Sequence, residues 1–65
     1  MNAAVKEHTV PLGDGIAMTV YEVEYIARYG DGIHSPNIWK SYGVFQSKEV
    51  AHYVARCIDD GTIVV

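Results

Sequence analysis

Ile16-Ala17-Met18-Thr19-Val20-Tyr21-Glu22-Val23-Glu24-Tyr25-Ile26-Ala27-Arg28-Tyr29 is the stretch whose reading decides the fold. Its odd positions are Ala17, Thr19, Tyr21, Val23, Tyr25, Ala27 and Tyr29, with no charge among them. Its even positions include Glu22, Glu24 and Arg28. Side chains of a strand alternate between faces, so the odd set is expected on a core and the even set on the opposite face. Beta-branched and aromatic residues favour a strand over a helix here. Fourteen residues is long for one strand, so a bend or bulge is expected inside it.

Two Gly-Asp-Gly-Ile segments, at 13–16 and 30–33, bound this strand as turns. Beyond the second lies a loop, His34-Ser35-Pro36-Asn37, and then Ile38 to Gln46 reads as the next strand of an antiparallel hairpin. Ser47 is a helix N-cap, with Glu49 near the positive end of the helix dipole. Val50, Ala51, Val54, Cys57 and Ile58 recur at helical spacing, while Lys48, Glu49, His52, Arg56 and Asp59 fall on the other side. Gly61 ends the helix and Thr62–Val65 reads as a short last strand. Residues 5–11 form a first strand that Pro11 confines to an edge. The expected fold is α+β, in the order β-β-β-α-β: a small antiparallel sheet of three to four strands with one helix packed on a face.

A chain of 65 residues allows one domain, 1–65, with little interior. Yet 49% of its residues are hydrophobic, so some are expected on the surface as a patch that meets a partner or a second copy, making a homodimer. Its single cysteine excludes an internal disulfide. No basic region followed by an apolar run opens the chain, and Glu22, Glu24 and Arg28 interrupt its most apolar stretch. The expectation is a cytoplasmic protein without a membrane span. A formal charge of −3 argues against duplex DNA or anionic membranes as partners.

Catalytic and metal chemistry find little to stand on. His8, His34, His52 and Cys57 form no ligand pair of recognised spacing, so neither a metal nor a cofactor is expected. Cys57 sits toward the negative end of the helix dipole with Asp59 and Asp60 following, which raises rather than lowers a thiol pKa. The two Gly-Asp-Gly turns lack phosphate-binding spacing and carry an acid at their centre. The aromatic residues are more informative. Five Tyr, one Trp and one Phe exceed what so small a core holds, and Tyr and Trp are enriched in binding hot spots. The candidate binding residues are therefore Tyr21, Glu22, Glu24, Tyr25, Trp39, Tyr53, Asp59 and Asp60.

Tyr42-Gly43-Val44-Phe45-Gln46-Ser47-Lys48-Glu49-Val50-Ala51 resembles the strand-to-helix junction Gly-x-Phe-x-Ser/Thr-x-x-x-Ala in arm-binding domains of phage integrases. Sporulation-related peptidoglycan-binding domains have a similar junction. The integrase resemblance implies a three-stranded sheet that binds nucleic acid. Tyr21, Tyr25 and Trp39 would then stack bases, with Lys40, Lys48 and Arg56 on phosphates. Integrase sheets of this kind are basic, whereas this strand carries Glu22 and Glu24. The favoured expectation is a small acidic, non-enzymatic protein-binding module. It would act as phage and mobile-element inhibitors do, by occupying a surface of a host protein.

Overall fold

Period-two alternation carries β2 over Ile16–Arg28, between β1 over Ala3–Gly13 and β3 over Ile38–Phe45; the helix α1 spans Lys48–Asp59. These elements come from a computed structural model that describes residues 2–65. The sheet is antiparallel, in the order β1-β2-β3, and α1 covers one face. The fold is thus the expected α+β sheet with one helix, built on three strands.

Val23 is fully buried at the centre of the core, against Ala3, Ala51, Ala55 and Ile58. Val5, Tyr21, Tyr25, Phe45, Val54 and Ile63 close around it. The odd face of β2 is therefore the helix face. The helix lies mainly over β1 and β2, which turns the arc 51, 54, 55 and 58 inward. Val50, expected in the inward stripe, is exposed, and Ala55 takes a core place instead. Alanines at 51 and 55 let the helix axis approach the sheet closely.

Two odd positions, Ala17 and Thr19, are exposed despite their face. The ladder between β2 and β3 begins only at Tyr21 and Phe45, so nearer the turn β1 and β2 continue alone. This two-stranded ribbon projects past β3 and contributes nothing to the core, and the molecule measures 46 × 29 × 14 Å. Its tip turns through Gly13, Asp14 and Gly15, all at positive φ. The expected irregularity in β2 lies at Ala27, the extra residue between the pairs Ile26–Trp39 and Arg28–Ile38. A second bulge puts Tyr42 of β3 outside the ladder.

Ser47 caps α1 by accepting the Val50 N–H at 3.2 Å. The other end departs from expectation, because Thr62–Val65 forms no strand. Gly61, at φ +85°, turns the chain back on the helix. The Thr62 N–H goes to Asp60 Oδ1 at 2.8 Å and the Ile63 N–H to the Cys57 carbonyl at 3.0 Å. Donors that a fourth strand would need are spent on the helix end, and the Ile63 side chain is drawn against the core.

The first strand is longer than residues 5–11. Asp59 Oδ1 accepts the N–H groups of Asn2 at 2.5 Å and Ala3 at 2.9 Å, and the Ile26 N–H donates to the Asn2 carbonyl. The start of β1 is thus clasped to the end of α1. The β2–β3 loop is also tied down. Asp31 Oδ1 accepts N–H groups from Ile33, His34 and Ser35 at 2.8, 2.6 and 2.8 Å. A Cβ on Gly30 would collide with the Ser35 carbonyl, so only glycine fits that close approach.

Candidate functional site

Pairing parity assigns every strand residue to a face. Val23 and its odd neighbours point to the helix, so the even positions of β2 from Ile16 to Ile26, before the bulge at Ala27, share the uncovered face. Their partners on that face are Ala4, Lys6, His8 and Val10 of β1. From β3 come Trp39 opposite Ile26, Ser41 opposite Glu24, and Val44 opposite Glu22.

This open face is chemically banded along the strands. Toward the ribbon it carries Val10 and Met18, then Val20, which is 9% exposed although no helix covers it. Across the middle run an ion pair and a histidine–carboxylate hydrogen bond. Lys6 Nζ stands 3.1 Å from Glu24 Oε1, and His8 Nε2 stands 3.0 Å from Glu22 Oε1. Ser41 and His8 hold the Glu22 carboxyl below its ordinary range. At the far end are Ile26 and Trp39, the latter 42% exposed. A shallow depression of about 180 Å³ lies between Ala4, Lys6, Glu24 and Trp39.

The structure divides the eight expected binding residues between two sides of the molecule. Glu22, Glu24 and Trp39 come together on the open face. Tyr21 and Tyr25 lie on the other face, half-buried against the helix, where they complete the core. Tyr53 is exposed on α1, and its interaction with the Cys57 thiol pushes the phenol above its usual value. Asp59 is the clasp on β1. Asp60 receives the Thr62 hydroxyl and N–H, which hold its carboxyl low. The acidic pair at 59–60 thus has two local structural partners, one for each carboxylate.

Sequence reasoning missed Lys6, His8, Val10, Met18, Val20 and Val44 as members of the surface. The even-position alternation of β2 marked Met18 and Val20. The β1 and β3 members depend on register, which no local pattern specifies. Among the described residues no group of three His, Cys, Asp or Glu side chains could hold a metal ion. Cys57 is buried. No described helix is long and apolar enough to cross a membrane. A depression of about 450 Å³ lies in the β2–β3 loop between Arg28, Tyr29, Asp31 and Pro36. The Asp31 carboxyl there, held down to about 2 by the loop N–H groups, is already committed to the loop. No family model, curated protein or solved structure matches this chain.

Proposed function

We propose that this chain is a non-enzymatic protein-binding module that acts through the uncovered face of its sheet. The observation that carries this reading is the combination on that face of an exposed Trp39 with Ile26, Val44, Val10 and Met18 around carboxylates that already have partners, Glu24 with Lys6 and Glu22 with His8. Trp in a partly apolar setting is the side chain most enriched in binding hot spots. Carboxylates that keep their hydrogen-bond partners enter a contact at less cost than bare ones. In the cytoplasm such a domain would act as a small inhibitor does, by occupying a surface of another protein.

Glu22 and Glu24 at the centre of the face oppose a phosphate backbone. Fluorescence polarisation with single- and double-stranded oligonucleotides at low salt is expected to give no binding. Tight binding that weakens steeply with salt would replace this reading with a nucleic-acid one. The direct test is capture by the immobilised chain from its native host, read by mass spectrometry. A protein retained by the wild type and lost with Trp39→Ala, at unchanged fold, supports the reading. Retention that is indifferent to Trp39, Val44 and Met18 substitutions overturns it.

A further inference from the structure

The ribbon formed by β1 and β2 beyond Val20 is the least explained part of the molecule. A two-stranded ribbon with nothing packed on it is marginal in water. This one nevertheless presents Val10, Leu12, Ile16 and Met18, with Ile16 61% exposed. From Thr9 to Thr19 its only charged side chain is Asp14, so it has no cation for a phosphate or an anionic membrane. Its chemistry suits an apolar protein surface.

We infer that this surface is supplied by a second copy of the chain. The proposal rests on reading the open face as a protein-binding surface and names the occupant. The first argument is area. A compact monomer of 7.2 kDa exposes about 4100 Å². This chain exposes 4798 Å², an excess of about 700 Å², close to the roughly 800 Å² each partner gives to a stable interface.

The second argument is pattern. Along β2 the open face has an apolar patch at each end, Val10 and Met18 toward the ribbon and Ile26 with Trp39 at the other. About 27 Å of strand separates Met18 from Ile26. A two-fold axis lying across the strands places the ribbon of one copy over the Trp39 end of the other, and reciprocally. Closed symmetry of this kind needs only one self-complementary surface. The central carboxylates already have partners within each copy, Lys6 for Glu24 and a His8 hydrogen bond for Glu22, so closure leaves neither without one.

Sedimentation velocity across the micromolar range tests the inference. The expected mass is twice 7.2 kDa. Emission of Trp39, the single tryptophan, should shift to the blue over the same concentrations. Ile16→Lys on the ribbon and Trp39→Ala at the opposite end should each raise the dissociation constant about tenfold or more. Their combination should cost less than the sum, because the two side chains share one contact. Val50→Lys, on the exposed flank of α1, should change nothing. Circular dichroism of Ile16→Lys should match the wild type, since the residue lies outside the core. Monomer at every concentration overturns the inference. So does a dimer broken by Tyr42→Lys on the β3 edge and indifferent to Ile16→Lys. Monomer together with Trp39-dependent capture of a host protein leaves the binding reading standing and removes only the second copy. Failure of both removes the reading itself.

Discussion

The two halves of the β1–β2 hairpin share strands, alternation and ladder, and differ only in what lies against them. In the inner half, Val23 meets Ala51, Ala55 and Ile58 and is fully buried. In the outer half, Thr19 occupies the same face about 13 Å along the strand and is exposed. Alternation chooses a face, but burial needs a second layer, and α1 reaches only the inner half. The outer half keeps its apolar residues on the open face instead. The contrast separates residues that hold the fold from residues available to a partner.

The largest expected effect breaks the inner half. A chain of this length holds about 3–10 kcal/mol of stability. Val23→Asp places an unpaired charge in the core and should leave the chain unfolded at room temperature, as judged by circular dichroism. Thr19→Asp, four residues along on the same face, should unfold in urea within about 0.5 kcal/mol of the wild type. Equal behaviour of the two would erase the division.

A second substitution loosens the seam between the inner half and the helix. Asp59→Ala leaves the buried Ala3 N–H without its acceptor and should cost about 1–2 kcal/mol in urea unfolding. Hydrogen exchange should quicken at Ala3 and Val5, while exchange near Val23 slows or quickens only with global stability.

The third effect is pH-dependent and confined to the β2–β3 loop. The Ser35, Ile33 and His34 N–H groups hold Asp31 at about 2, below its ordinary 3.8. A depressed folded pKa contributes stability that is present above the ordinary value and lost as pH falls through about 2. The amide resonances of Ile33, His34 and Ser35 should therefore stay dispersed at pH 4 and collapse together near pH 2. In Asp31→Asn that acid step should vanish. The smallest effect belongs to the outer surface of α1. His52→Ala should change stability by less than about 0.5 kcal/mol, whereas Val54→Asp, directed at the core, should destabilise strongly in the same urea titration.

Most of the framework was legible because local rules decide it. The alternation of residues 16–28 identified the helix face of β2, and Ser47 and Gly61 marked the ends of the helix. What stayed hidden depends on partners distant in sequence. Thr62–Val65 has strand composition, yet Gly61, Asp60 and Cys57 take its backbone toward the helix. Val50 looked inward until the lateral position of α1 over β1 and β2 was known. The candidate surface was legible in part, in Glu22, Glu24 and Trp39. Tyr21 and Tyr25 are aromatic enough for a hot spot, but their parity sends them to the core. Lys6, His8 and Val44 join the surface only through register.

The Asp59 clasp also bears on the order in which the chain folds. It joins residues separated by 56 and 57 positions, whereas the β2–β3 hairpin and α1 close over much shorter spans. Loop closure becomes more costly with span, so the two hairpins and the helix form first and the clasp between α1 and the start of β1 closes last. Weakening the clasp should then speed unfolding while leaving the refolding rate almost untouched, the signature of a contact made after the transition state.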